Sequence, residues 1–301
     1  MSDNKVLLIL GPTGVGKSDL AVKLAKKYQG EIISADSVQV YKDFNIGSAK
    51  ITKKEMQDVV HYGIDLLSPN QRFSAAEYVD YTKTKIKEII SHGKLPIIVG
   101  GTGLYIKSLV EGYTFGGTER HDDFRKEMEE LAEKEGLSAL YGLLKEKAPD
   151  LADSIDKKNK VRLIRALELA TFGGEKSTKP VEYDFLGLAL TMPREILYNN
   201  INKRSKKMLD IGLIEETKSL YKKYGDCQPM GAIGYKETLS YLNKELSKEE
   251  LLEKISQHTR NYAKRQLTFL RGLNYLKYFD KTEPNFMDKI NMEIDKWIKE
   301  K

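Results

Sequence analysis

Residues 11–18 read GPTGVGKS, set between a short apolar run, Lys5 to Leu10, and a segment with Leu20, Val22, Leu24 and Ala25 at mixed helical spacing. Strand, glycine loop and helix in that order predict the first turn of a parallel sheet with a phosphate-binding loop. Gly11 and Gly16 permit backbone angles that other residues resist, so successive amides can face phosphate oxygens at a helix N-terminus, where the dipole favours anions. Lys17 adds a full positive charge, and the Ser18 hydroxyl is a candidate Mg²⁺ ligand. The bland alternative is a glycine-rich turn that holds nothing. Taken alone, the loop does not tell a triphosphate from a diphosphate.

Three further segments have the character of buried strands: residues 31–35, 95–99 and 185–190, each short, apolar and followed by helical sequence. Strands alternating with helices predict an α/β fold, a parallel sheet of the P-loop NTPase kind flanked by helices, with ligands gathered at the carboxyl ends of the strands. Between Gly112 and Glu182 the strand signal vanishes. Charged helical stretches such as Asp122 to Lys134 replace it, broken by glycine pairs at 116–117 and 173–174. After Met192 the pattern is almost wholly helical. The expected organisation is therefore a core begun by residues 1–111, a helical insertion over 112–182, and a return strand with C-terminal helices over 183–301 that complete the core.

A chain of 301 residues has room for a deep site and a second unit. Fifty Lys and Arg against 44 Asp and Glu leave a formal charge of +6, too mild to point to nucleic acid without local clustering. Cys227 is the only cysteine, which excludes an intramolecular disulfide and a multi-cysteine metal site and fits a reducing compartment. With the first strand near residue 5 and no apolar run approaching a membrane span, the expected location is the cytoplasm, with no membrane partner.

Nucleotide-hydrolysing P-loop proteins place an Asp at the end of a later apolar strand, beside the Mg²⁺. Here that strand runs into Gly100-Gly101-Thr102-Gly103, which carries no carboxylate. The acid comes early instead, in Ser34-Ala35-Asp36-Ser37-Val38-Gln39-Val40-Tyr41 after the second strand. Asp36 at that strand end suits a general base acting on an acceptor; equally, it suits a turn cap or a water-mediated Mg²⁺ ligand. Gln39 either reads a base edge through its amide or is simply solvated.

Basic residues cluster in three places. Lys157, Lys158, Lys160, Arg162 and Arg165 fall in one stretch without an acid; Lys203, Arg204, Lys206 and Lys207 form the second; Arg260, Lys264 and Arg265 form the third, interleaved with Tyr262 and Phe269. Each alone is ordinarily a solvated helix face. Together, outside the core, they favour a large polyanion whose phosphates meet cations and whose unpaired bases stack on aromatic rings.

In order along the chain stand GPTGVGKS, SADSVQVYK, GSAK at 47–50, LPIIVGGTGLY at 95–105, RALE at 165–168, AIGYKE at 232–237 and TRNYAKRQ at 259–266. This set closely resembles the tRNA dimethylallyltransferases, also called tRNA isopentenyltransferases, over about residues 5–272. The resemblance implies transfer of a dimethylallyl group from its diphosphate to the exocyclic N6 amine of the adenosine just 3′ of the anticodon, with Mg²⁺ and with the 112–182 insertion clamping the anticodon stem-loop; a monomer is expected. It gives the donor diphosphate to Gly11, Thr13, Gly14, Gly16, Lys17 and Ser18, with Mg²⁺ near Ser18. Catalysis falls to Asp36 as general base, to Arg204 on the leaving group and to Thr102 in the same channel. Ser37, Val38, Gln39, Arg125, Arg162 and Arg165, with Asp36 and Thr102, are implied to meet tRNA. A diphosphate that leaves whole agrees with the missing late-strand carboxylate.

Three departures from the family pattern stand out. The stretch ahead of RALE reads KKNKVR at 157–162 where relatives commonly carry Pro-Asn-Asp-Pro-Gln-Arg, leaving Arg162 alone in common. Ile51 follows GSAK in place of proline, and Phe269 replaces a common Trp. The zinc finger of some longer eukaryotic relatives is absent. Rival classes are a P-loop small-molecule kinase, which can also use an Asp after the second strand, and a nucleotide-gated RNA-binding protein, which leaves Asp36 without a task.

Overall fold

The structure, a computed structural model, describes residues 4–116 and 120–300. They divide into two compact units, one formed by the residues up to Val110 together with those from Val181 onward, the other by Glu111–Pro180. Among the described residues there are eight strands: β1 (Lys5–Leu10), β2 (Gly30–Ala35), β3 (His61–Tyr62), β4 (Leu95–Gly100), β5 (Tyr113–Gly116), β6 (Glu175–Thr178), β7 (Asp184–Thr191) and β8 (Leu276–Asp280). In the larger unit six of them form a sheet in the order β3-β2-β4-β1-β7-β8, every pair parallel. All six residues of β1 are buried, as a strand covered on both faces requires. Register pairs Leu8 with Ile98 on one side and with Gly187 on the other.

Leu7, Ile9, Leu20, Leu24, Ile97 and Leu188 pack into one core with Ile290, Ile294 and Trp297 of the helix Phe286–Lys299. That helix is pinned to the start of β1. Lys5, 4% exposed, donates to Asp184 Oδ2 at 3.0 Å and to the Trp297 carbonyl at 2.7 Å, while Trp297 Nε1 donates to the same carboxylate at 2.8 Å. A second core, under the chain that leaves β2, joins Tyr41, Phe44, Leu213, Tyr235 and Ile255.

The segment after β2 does not pass straight into a helix. It runs through turns to a short helix, Lys53–Met56, and to β3 before the helix Ala75–Ser91 begins. Neither the insertion nor the C-terminal region is purely helical: β5 pairs antiparallel with β6, and β8 extends the sheet in a stretch whose sequence pattern reads as helix. The smaller unit has a core of its own, with Met128, Leu140, Leu144, Leu163 and Leu167 buried among its helices. Of the glycine pair at 116–117, Gly117 lies outside the described residues.

Candidate active site

The glycine loop bridges β1 and the helix Lys17–Lys27 at the carboxyl edge of the sheet. Gly14 and Gly16 adopt φ of 86° and 85°, left-handed angles that a side chain resists. Among the described residues no side chain caps this helix at Gly16, so its first amides are left for an anion. Beside the loop opens a cleft of about 370 Å³ lined by Thr13, Gly14, Gly16, Lys17, Ser18, Asp36, Gln39 and Arg204, among others.

Two cations dominate it. Lys17 donates to the carbonyls of Gly11 at 3.0 Å and Pro12 at 2.9 Å. Burial, and then the neighbouring Arg204 charge, bring its pKa down to about 8 against the opposing pull of Asp36. Arg204, on the helix Arg194–Asp210, donates to the Thr13 hydroxyl. Burial lowers its pKa too, and the Asp36 carboxylate opposes that. Two partly desolvated cations thus stand side by side, with Asp36 the carboxylate whose charge acts on both.

Asp36 has both roles open to it. Its Oδ1 accepts from the amides of Val38 at 2.8 Å and Gln39 at 3.1 Å, the turn-cap geometry, and its carboxylate lines the cleft. The cap fixes the carboxylate's orientation without consuming Oδ2, which makes no hydrogen bond among the described residues. Thr102 accepts from the Ser37 amide at 3.2 Å, and its own amide donates to the Ala35 carbonyl at 3.3 Å, tying the ends of β2 and β4 together. Gln39 is not simply solvated: Nε2 donates to the carbonyls of Ser48 at 3.3 Å and Ala49 at 3.4 Å, and the residue lines the cleft. The Val38 side chain packs against the second core.

Sequence reasoning gave no role to Gln266, which the structure makes central. Its Oε1 accepts from the Thr13 amide at 2.8 Å, while Nε2 donates to the Gly101 carbonyl at 3.0 Å, so one side chain holds both glycine loops. Asn200 Nδ2 reaches the Gly14 carbonyl at 3.5 Å. Tyr262 lines the cleft, its hydroxyl pushed up to about 12 by burial and then by the Asp36 charge. A signal for Gln266 did exist: with Thr259 it is a polar residue on the buried stripe of the helix Lys248–Arg271.

The basic clusters differ from one another. Of the second, Arg204 turns into the cleft while Lys203, Lys206 and Lys207 are exposed. In the third, Arg260 bonds Asn202 and Glu253, each at 2.8 Å, while Lys264, Arg265 and Phe269 line an open groove. In the smaller unit, Arg125 and Arg165 both bond Glu168, which is 1% exposed and also accepts the His121 amide at 2.9 Å. Burial would raise the Glu168 pKa, but these bonds outweigh it and bring it down to about 2. Lys157, Lys158, Lys160 and Arg162 remain exposed. Asn159, within the divergent stretch, caps the helix Lys160–Phe172 by accepting the Arg162 amide at 3.1 Å.

Among the described residues no cluster of three or more His, Cys, Asp or Glu is placed to hold a metal, and no helix is long and apolar enough to cross a membrane.

Comparison with known proteins agrees with this geometry. The model of a family described as IPP transferase matches residues 39–273. A tRNA dimethylallyltransferase of Caldanaerobacter subterraneus is 46% identical over 91% of either chain, and one of Bacillus licheniformis is 43% identical over 97% of this chain and 96% of its own. Among solved structures, a tRNA isopentenylpyrophosphate transferase of Bacillus halodurans superposes with a TM-score of 0.74 at 40% identity, covering 98% of this chain and 95% of its own. A eukaryotic dimethylallyltransferase acting on tRNA gives 0.80 at 27% identity, covering 98% of this chain and 79% of its own. A match of this span, with relatives this similar along nearly their whole length, shows that the chain belongs to the IPP transferase family.

Proposed function

We propose that the chain is a tRNA dimethylallyltransferase that moves the dimethylallyl group of dimethylallyl diphosphate to the N6 amine of the adenosine 3′-adjacent to the anticodon. The observation that carries this is the placement of Asp36 in one cleft with Lys17 and Arg204, while β4 ends without an acid. The donor's diphosphate lies on the amides of the glycine loop and on the two cations, with its allyl end toward Asp36. Carbon–oxygen cleavage releases diphosphate, whose growing charge Lys17 and Arg204 stabilise. A new carbon–nitrogen bond forms at the amine, and its proton passes to Asp36 and on to solvent. Thr102 holds the Asp36 turn in place through Ser37, and Gln39 braces the wall formed by Ser48 and Ala49.

The Ser18 hydroxyl, with no acid cluster among the described residues, fits Mg²⁺ held mainly by phosphate oxygens and water, where it would neutralise charge on the diphosphate. The target base must leave its stack to reach the cleft, and a loop nucleotide does so at lower cost than a paired one. Exposed Lys157, Lys158, Lys160 and Arg162, and the groove at Lys264 and Arg265, supply sequence-independent contacts to the anticodon stem-loop. We place the enzyme in the cytoplasm and take it to act as a monomer. Incubation with unmodified tRNA, Mg²⁺ and either labelled dimethylallyl diphosphate or labelled ATP tests this. Label on tRNA from the first alone is expected; phosphorylated product from the second alone overturns it in favour of a kinase.

A further inference from the structure

Beside Lys17 and Arg204, whose charges Asp36 partly opposes, a further cation stands at the glycine loop, and it arrives from a distant part of the sequence. The chain leaving β8 crosses the carboxyl edge of the sheet, held there by the Lys281 amide donating to the Thr191 carbonyl at 2.9 Å. From that position the Lys281 side chain reaches to the last glycine of the loop, and Nζ lies 3.4 Å from the Gly16 carbonyl. It fills the place a side chain would take: a Cβ built on Gly16 would sit 2.0 Å from Nζ and 3.3 Å from Cε. Gly16 therefore serves two ends, its left-handed φ of 85° and an open side for this ammonium.

We propose that Lys281 is a diphosphate-binding residue, a third cation that joins Lys17 and Arg204 on the donor and on the departing pyrophosphate. The inference rests on the donor reading above. A carbonyl contact of 3.4 Å satisfies an ammonium poorly, and three donors on a four-carbon stem leave it able to turn to phosphate oxygens. It approaches from the β8 side of the loop, whereas Arg204 approaches Thr13 from the helix Arg194–Asp210. An anion on the loop amides is then met from two sides.

Calorimetric titration of the full-length protein with inorganic pyrophosphate, first without and then with Mg²⁺, separates the possibilities. Lys281→Ala is expected to weaken pyrophosphate binding roughly 5- to 20-fold, most clearly without Mg²⁺, and Lys281→Arg to stay within about threefold of wild type. In turnover, Lys281→Ala should raise KM for dimethylallyl diphosphate and leave KM for tRNA unchanged. Wild-type binding with Lys281→Ala within about twofold of it overturns the inference and leaves the donor reading intact. Failure of wild type to bind pyrophosphate at all defeats that reading itself. Equal weakening in the Ala and Arg variants, with a lowered melting temperature in both, assigns Lys281 to packing and overturns the proposal.

Discussion

The cations of the cleft beside the glycine loop and those of the helix Lys160–Phe172 are alike in sequence and unlike in what holds them. In the cleft, Lys17 and Arg204 are half-buried against carbonyls and a hydroxyl, and Asp36 is the carboxylate whose charge acts on both. On the insertion helix, Arg165 joins Arg125 on a buried glutamate, while the lysines before it face solvent. A cation held against neutral acceptors is available to an anionic ligand; one already paired to a buried carboxylate supports the fold. Counting positive charges in a sequence does not separate these states.

The comparison breaks first, and most widely, at Asp36. Asp36→Asn keeps the turn cap through its amide oxygen and loses basicity, so single-turnover transfer should fall roughly 10²- to 10⁴-fold at saturating substrates while both still bind. A rate within a few-fold of wild type would return Asp36 to the cap alone.

Arg204→Ala comes next, with a loss in turnover of roughly 10²-fold and no change in tRNA affinity, measured by filter binding. The same variant should raise the Lys17 pKa, because Arg204 is the second cause of its depression after burial. In wild type the free enzyme loses the Lys17 proton as pH rises through about 8, so donor affinity should decline above that pH; in the variant the decline should begin later.

In the smaller unit the expected effect is on stability. Glu168→Ala strands two arginines and should cost about 3 kcal/mol in denaturant unfolding followed by a probe within residues 111–180. The Glu168 pKa is depressed from 4.5 to about 2, so its contribution is complete above pH 4.5 and lost as pH falls toward 2. If Glu168→Ala instead leaves stability unchanged and weakens tRNA binding, the arginines belong to the substrate.

The smallest effect is expected at the surface. Replacing Lys157, Lys158 and Lys160 by Ala should lower the slope of log affinity against log salt by about 0.7 to 0.9 for each tRNA phosphate that the patch neutralises in the wild-type complex. An unchanged slope makes the patch a solvated face, with Lys157 resting over the Tyr141 ring.

Where the sequence was legible, the physics was local. The glycine loop, the apolar strands and the early acid each announce themselves within a few residues. β8 did not, because Lys277 and Tyr278 are exposed at the sheet's edge, and that breaks the apolar run expected of a parallel strand. β5 and β6 are four residues each, too short for alternation to register. Gln266 was hidden for another reason: its partners, Thr13 and Gly101, lie 253 and 165 positions away, and nothing in a helical stripe names what a buried amide will meet. The ion pairs at Glu168 were missed because Arg125 comes 43 residues earlier in the chain, although RALE itself places Arg165 one turn before the glutamate.

The position of β1 at the centre of the sheet also sets an order in time. During synthesis this strand is made before both its neighbours, which begin only at Leu95 and Asp184, and the Lys5 ammonium waits for the carbonyl of Trp297. Closing such long loops is slow, and an unpaired apolar strand is exposed to misassociation meanwhile. Residues 111–180 carry their own two-stranded sheet and core. On the ribosome the insertion should therefore become protease-resistant while β1 still lacks its β7 neighbour, a sequence of events that arrested nascent chains of increasing length would record or refute.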